Sequence, residues 1–322
     1  MKVHIETERL ILRPLVPDDA EAAFRWCGDP VVNTYMIYPL YHRAEDVRTW
    51  LESRNPDDPD AYDEGIVLKS TGELIGSGGL HLVPERNAWE IGYNLRADQW
   101  GNGYTVEMLN ALIDHIRKIR PVEAIDGIFA AANNKSRRVM EKMGMVYVRD
   151  TSFERLDGSE TFAAKYYRKN ITQPADQCLV CGRIEKIRRG ENPYFVRELE
   201  TGYVVLGDHQ RFEGYTLLLC KEHATELNQL APDFRTAFLR DMAITAEAVQ
   251  NAFGPDKMNY ELLGTGKGRH MHWHLFPRRQ GDTLKPGPVW LTEDMNDEAW
   301  IPSPEKLEKL KQTLNRELER LC

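Results

Sequence analysis

Three histidines alternate along His270, Met271, His272, Trp273 and His274. In an extended strand, alternate side chains share a face about 6.5–7 Å apart. Three imidazoles would then line one surface, with Met271, Trp273 and Leu275 packed behind it. A strand needs no histidine to fold, and the chain holds only nine. Three in register point to nucleophilic, metal-binding or phosphate-binding chemistry, because a neutral imidazole can attack, ligate or hydrogen-bond at pH 7.

Two further motifs carry chemistry. Cys178 and Cys181 form a C-x-x-C, a spacing that serves zinc or a redox pair. A redox pair would open a helix after a strand. This one follows a polar segment, so zinc is the expectation, with two more ligands to be found. In DQWGNGYTVEML (98–109), Gly101 and Gly103 follow a strand and open a helix. Glycine lets a backbone approach a ligand closely, and the free N–H groups of a helix start attract a pyrophosphate. The basic loop GTGKGR (264–269) reads equally as a phosphate cradle using Lys267 or as a plain connection. Cys27, Cys220 and Cys322 give no functional signal, and Arg278 reads as a structural or rim residue.

The elements that must position these groups fall into two halves. In the first, strands are expected at 9–15, 65–69, 74–83, 88–95, 125–130, 145–150 and 161–168. Helices are expected from Pro17 through Trp26, at 104–119 and at 135–143. The polar stretch 168–177 reads as a linker. The second half reads as strands 194–199, 203–207, 215–220, 258–264 and 270–276, with helices at 232–253 and 303–321. At 322 residues two cores are affordable. A net charge of −8 argues against a stable nucleic-acid complex. No apolar run approaches the ~20 residues that span a bilayer, the N-terminal stretch has no secretory pattern, and five cysteines make no disulfide framework. No membrane partner is expected, and the cytoplasm is the expected location.

HMHWHLFPR, with GYTLLLCKEH (214–223) upstream, resembles the histidine-triad (HIT) family. The resemblance implies that His272 attacks the α-phosphate of a nucleotide to form a nucleotidyl–histidine intermediate, and that His274 assists at a phosphate oxygen or the leaving group. It also implies a structural zinc held by Cys178, Cys181, His223 and His270, with His209 as an alternative third ligand. A leaving-group glutamine common in the family is missing here.

TERLILRPL, EIGYNL, WGNGYTVE and ANNKSRRVMEKMGM (132–145) occur in the order found in Gcn5-related (GNAT) N-acetyltransferases, and are most similar to the ribosomal-protein acetylase subgroup. The likeness covers residues 3–169. It implies acetyl-CoA as cofactor, with its pyrophosphate held at Gly101, Asn102, Gly103 and Tyr104. Trp100 and Thr105 stand beside them, Asn133 bonds the pantetheine arm or nearby backbone, and Ser136 caps the next helix. Glu90 is the candidate base. Met140 stands where many members have a proton-donating tyrosine, so another group or water must protonate the thiolate.

The expected fold class is therefore α/β (α+β). Residues 1–170 form a GNAT fold with a mixed central sheet, and residues 171–322 a HIT fold with an antiparallel sheet and helices. The expected activities are N-acetyl transfer to a small amine or N-terminal amine, and cleavage of a nucleotide substrate, either a dinucleoside polyphosphate or a nucleoside phosphoramidate. The alternatives are a nucleotidyltransferase or phosphorylase second half and a non-catalytic acetyl-CoA-binding first half. A homodimer through the second half is compatible with the resemblance. An aminoacyl nucleotide joined through a phosphoramidate would offer both halves a target. The contrary expectation is that the fusion only joins two unrelated activities.

Overall fold

The computed structural model describes residues 4–283 and 287–322. The chain divides into two compact units, Met1–Ile171 and Thr172–Cys322, and each buries its own core.

The first unit runs β1 (Ile5–Glu6), β2 (Leu10–Pro14), α1 (Ala20–Cys27), α2 (Pro30–Asn33), α3 (Ala44–Ser53), β3 (Ala61–Leu68), β4 (Leu74–Val83), β5 (Ala88–Leu95), α4 (Tyr104–Arg117), β6 (Ala124–Ala130), α5 (Asn134–Lys142), β7 (Val146–Glu154) and β8 (Thr161–Asn170). Its eight strands form one mixed sheet in the order β1-β2-β3-β4-β5-β6-β8-β7. Every pairing is antiparallel except β5 with β6, which is parallel and in register only at Trp89↔Ile125 and Glu90↔Asp126. Past that point the two strands part, and a gap opens toward Leu95 and Ala130. On one sheet face, α4 buries Met108, Leu109, Leu112, Ile113 and Ile116, a helical stripe that seals the main core. On the other, Trp26, Val47 and Leu51 of α1 and α3 close a second core.

The closed end of the β5–β6 pair is pinned by charge. Asp126 and Arg168 are buried and paired at 3.1 Å, and Arg86 reaches the same carboxylate at 3.1 Å. Residues 168–170 are therefore the end of β8 and not part of a linker. The sequence pattern hid this because three polar residues in a row read as loop, while burial of Arg168 depends on a carboxylate 42 residues away. α2 and α3 were also absent from the expectation.

The second unit contains α6 (Leu179–Arg188), β9 (Phe195–Glu198), β10 (Gly202–Leu206), β11 (Thr216–Cys220), α7 (Pro232–Phe253), β12 (Lys257–Leu262), β13 (His272–Arg278) and α8 (Pro304–Leu321). Its antiparallel sheet has the order β12-β13-β11-β10-β9. One face packs Val204, Leu206, Leu218 and Leu275 against α7 and α8, with Leu310, Leu314 and Leu318 facing in from α8. The other packs Tyr203, Val205, Leu217 and Leu219 with α6 residues Val180, Ile184 and Ile187. α6 is a correction: Cys178 caps this helix, its sulfur accepting from the Cys181 N–H at 3.3 Å. The C-x-x-C thus opens a helix, as a redox pair would, but it follows the irregular stretch 171–177 and not a strand.

One buried carboxyl of the first unit leaves an oxygen without a hydrogen bond. Glu64 on β3 is 5% exposed, and its Oε2 makes no hydrogen bond. Burial, then the Asp63 carboxylate, push its pKa from 4.5 up to about 7, with Arg54 offsetting part of the rise. Below pH 4.5 the folded and unfolded chains both hold the proton. Between 4.5 and 7 only the folded chain does, so stability falls as pH rises through that window. Glu64→Gln should raise the melting midpoint of the first unit at pH 8, by about 1–3 kcal/mol of stability, and leave it unchanged at pH 4. Thermal denaturation at the two pH values checks this.

Candidate functional site

Two sites emerge, one in each unit. In the first, a cavity of about 770 Å³ occupies the gap where β5 and β6 part. Its wall includes Tyr93, Leu95, Trp100, Gly101, Gly103, Tyr104, Thr105, Val106, Asn133 and Ser136. Gly101 and Gly103 have φ of 87° and 82°, a left-handed conformation that favours glycine. Gly103 caps α4 from that conformation, so the free N–H groups of the helix start lie at the cavity wall. A Cβ at Gly101 would meet no protein atom within 4 Å. That is open space into which a ligand can approach the backbone. Trp100 Nε1 donates to the Leu95 carbonyl at 3.0 Å, and Lys135 Nζ sits 3.5 Å from the centre of its ring. Lys135, Arg138 and Lys142 of α5 add positive charge to the lining. Their spacing of three and four puts them on one helix face, a signal readable in the sequence.

The other first-unit residues fall as follows. Asn102 stands outside the lining, its side-chain amide donating to Gln99 O at 3.1 Å. Asn133 caps α5, its oxygen accepting from the Ser136 N–H at 3.1 Å. The helix cap is thus Asn133, one turn before the expected Ser136, because a carboxamide at N-cap reaches the third N–H. Glu90 lies at the closed end of the strand pair, ion-paired to Arg86 and outside the cavity lining. Met140 is 2% exposed and packs its thioether against Gly127, where a Cβ would come within 2.5 Å of the sulfur.

In the second unit the strand begins at His272, two residues later than expected, and His270 occupies the bend before it. Met271, Trp273 and Leu275 lie in the α7–α8 core, and His272 and His274 project from the opposite face. His272 Nδ1 lies 2.7 Å from the His270 carbonyl oxygen. A carbonyl only accepts, so Nδ1 carries the proton and Nε2 keeps a bare lone pair. Burial pulls the His272 pKa down, which favours the same neutral form. The centres of the His272 and His274 rings are 4.6 Å apart.

His274 is held from the other side. The Tyr215 hydroxyl sits 2.6 Å from His274 Nδ1, and the rings stack with Phe276. Burial drives the phenol's pKa up and, with His272 nearby, pulls the imidazole's down to about 3. The phenol therefore donates, since the reverse assignment would bury its proton without an acceptor. His274 is neutral with its proton on Nε2. Tyr215, the residue before β11, alternates with Leu217 and Leu219 on the site face, a period-two signal present in the sequence.

Behind His272, four buried side chains converge. The ligand atoms of Cys178, Cys181, His223 and His270 all lie within 4.8 Å of one another. Individual separations are 3.3 Å for Cys181 Sγ–His223 Nδ1, 3.4 Å for Cys181 Sγ–His270 Nδ1 and 3.6 Å for Cys178 Sγ–His270 Nδ1. His270 Nε2 donates to the Cys220 carbonyl at 3.0 Å, leaving Nδ1 free to ligate. Of the thiols, Cys178 ionises first, because the Cys181 thiol hydrogen-bonds to it, with His223 and His270 adding to the effect. Its thiolate and burial in turn push Cys181 up. Two backbone bonds, Met271 N–H to Ala224 O at 2.8 Å and Cys220 N–H to Met271 O at 3.2 Å, clamp the histidine segment to the loop carrying His223. His209 is not part of the cluster. Lys267 stands on a short 3₁₀ turn, and Arg278 is tied to Asp282 at 2.8 Å.

Comparison with known proteins agrees with both units. The family model for the acetyltransferase (GNAT) domain matches residues 9–146, and that for the HIT domain matches residues 190–281. The uncharacterized N-acetyltransferase p20 of Bacillus licheniformis is 33% identical over 116 residues, which is 34% of this chain and 63% of p20, less than two thirds of that relative. The uncharacterized protein YkkB of Bacillus subtilis (strain 168) is 30% identical over 154 residues, 45% of this chain and 87% of YkkB. The adenylylsulfatase HINT3 of Arabidopsis thaliana is 26% identical over 125 residues, 37% of this chain and 59% of HINT3. The chain belongs to the GNAT acetyltransferase family through its first unit and carries a HIT domain in its second. The fold class is the expected one: a mixed sheet with helices, then an antiparallel five-stranded sheet with helices. No helix among the described residues is long and apolar enough to cross a membrane.

The carbonyl contacts of His270 and His272 and the Tyr215 contact of His274 make a spectroscopic prediction. Long-range nitrogen–proton correlation should place the His272 proton on Nδ1 and the His270 and His274 protons on Nε2. A His272 spectrum with the proton on Nε2 would remove the nucleophile assignment.

Proposed function

We propose that the chain is a two-activity enzyme, with an acetyl-CoA-dependent N-acetyltransferase in the first unit and a nucleotide-cleaving HIT enzyme in the second. The single observation that carries the second activity is the His272 Nδ1 contact to the His270 carbonyl. It leaves Nε2 as an unprotonated nucleophile beside a neutral His274 that can only donate from its Nε2. In this reading, His272 Nε2 attacks the α-phosphorus of a nucleotide and the bond to the leaving group breaks. The His274 N–H bonds a phosphate oxygen or the departing group, and water then cleaves the phosphorus–nitrogen bond to release the nucleoside monophosphate. HINT3 is named an adenylylsulfatase, which supports a nucleotide-acting reading. Nothing in the site selects water over a phosphate acceptor, so the transferase alternative stays open to the same assay.

The cluster behind His272 fits zinc. Two thiols and two imidazole Nδ1 atoms are a tetrahedral donor set, and His270 gives its other N–H to a backbone carbonyl, as metal-binding histidines commonly do. Cys178, Cys181, His223 and His270 would hold the ion. With four protein ligands its chemistry would be structural, cross-linking the start of α6, the loop after β11 and the segment just before β13. In the first unit, acetyl-CoA would lay its pyrophosphate at Gly101–Thr105, balance its phosphates with Lys135 and Arg138, and thread its pantetheine arm into the gap between β5 and β6.

The core position of Met140 favours a second reading of the first unit, as an acetyl-CoA-binding module without transfer. What separates the two is whether the cavity holds another proton donor.

Three outcomes are expected. With an aminoacyl phosphoramidate of AMP as probe, His272→Ala should lose about 10⁴-fold in AMP release, measured by chromatography. Near wild-type turnover would refute the covalent route. Elemental analysis should find one zinc per chain, absent in Cys178→Ser, and chelation should lower the melting temperature of the second unit more than the first. Gly103→Val, straining a backbone at φ 82°, should weaken acetyl-CoA binding about tenfold or more by calorimetry and leave AMP release unchanged.

A further inference from the structure

The strand that flanks the histidine pair carries a carboxyl that the reaction above does not use. Glu261 of β12 is the register partner of His274 on β13. Paired residues in an antiparallel ladder share a face and place their Cβ atoms about 4.5–5.5 Å apart, so the Glu261 side chain stands on the site face beside His274. The rest of β12 agrees: Asn259 pairs with Phe276 on that face, while Met258 packs into the α7–α8 core. Tyr215, whose hydroxyl holds His274, feels the Glu261 charge. The side chain is half-buried, and its Oε2 accepts no hydrogen bond. A carboxylate oxygen without a donor is costly, so a ligand that brings an N–H to it is favoured. The nearby guanidinium groups are engaged elsewhere. Arg183, which His272 feels, is ion-paired to Asp208. Arg278, further along β13, is held by Asp282 at 2.8 Å. Lys267 and Arg269, on the loop joining β12 to β13, are exposed.

We infer that Glu261 determines specificity in the second unit, its carboxylate pairing with an ammonium carried by the leaving group, so that the substrate class is a nucleoside phosphoramidate whose amine part bears a second, cationic nitrogen. The inference deepens the nucleotide-cleaving reading above and rests on it. In that reading His274 meets the departing group. Glu261 is the neighbour of His274 on the side away from β11, so a substituent on the departing group comes within its reach. An ammonium there gains a charge-assisted hydrogen bond. A polyphosphate would set its own negative charge against the carboxylate. Specificity is the difference between the two, attraction for one class and repulsion of the other. No bond to Glu261 is made or broken. Burial raises its pKa, against Asn259 and Arg278, which lower it, and an ammonium alongside favours the ionised form further. Of the two substrate classes that suit the histidine pair, dinucleoside polyphosphates and phosphoramidates, this carboxylate selects the second.

The test varies charge at constant length. AMP phosphoramidates of ethylenediamine, propylamine and β-alanine end in an ammonium, a methyl and a carboxylate, and diadenosine triphosphate supplies a polyphosphate. AMP release from each is measured with wild type and with Glu261→Gln. Each kcat/KM is taken relative to the propylamine substrate, so the intrinsic reactivity of each bond cancels between the two proteins. In the variant the ammonium substrate should lose about tenfold on this scale, while the β-alanine substrate and diadenosine triphosphate should each gain several-fold. Equal ratios in the two proteins would overturn the assignment. So would an equal loss on every substrate, which would make Glu261 a support for His274 and not a reader of the leaving group. If wild type releases AMP from none of them, the nucleotide-cleaving reading itself falls and the inference with it, a result distinct from the other two. Should Glu261→Gln fail to fold, Glu261→Asp keeps the charge but withdraws it by one methylene. The ammonium substrate should then lose several-fold relative to propylamine, and an unchanged ranking would overturn the proposal.

Discussion

The carbonyl oxygen of His270 is the atom on which the second site depends. The side chain of that residue points into the cysteine–histidine cluster, with its Nε2–H spent on Cys220 O, while its own carbonyl takes the proton-bearing nitrogen of His272. The two functions are coupled through one backbone unit. Anything that fixes the His270 ring fixes the peptide that sets the tautomer of His272. A closed zinc site there would supply rigidity exactly where a misplaced carbonyl would let the imidazole turn over. Tyr215 performs the matching service for His274, so both imidazoles are held neutral and oppositely disposed, one with a bare nitrogen and one with a bare N–H.

The first site rests on a different constraint, a parallel strand pair that is allowed to fail. β5 and β6 share two register positions and then separate, which exposes strand edges that a sheet would ordinarily pair. The buried Asp126–Arg168 pair and Arg86 hold the closed end together, so the parting is local and the cavity has a fixed depth. Glu90 belongs to this clamp. Its position explains why a carboxylate on the right strand is not at the right end of it.

Much of this was legible before any coordinates. The period-two histidines, the C-x-x-C and the paired glycines each declare a chemistry through residue type and spacing, and the strand and helix patterns around them are strong. What stayed hidden is what the chain brings together from afar. The role of Arg168 depends on Asp126, and polar residues at the end of β8 look like linker until that partner is known. α6 was missed because Cys178 as a helix cap has no pattern distinct from Cys178 as a ligand. Tyr215 alternates with Leu217 and Leu219, and a tyrosine alternating with leucines reads as core until its hydroxyl is found against the His274 imidazole.

The most direct test of the account is to trap the intermediate. The protein is mixed with an AMP phosphoramidate labelled in the nucleotide, quenched within one turnover, digested under mild alkaline conditions that spare phosphorus–nitrogen bonds, and mapped by mass spectrometry. The account predicts an acid-labile adenylyl group on His272 alone. A label on another residue, or turnover that continues with no label at any time point, would contradict it.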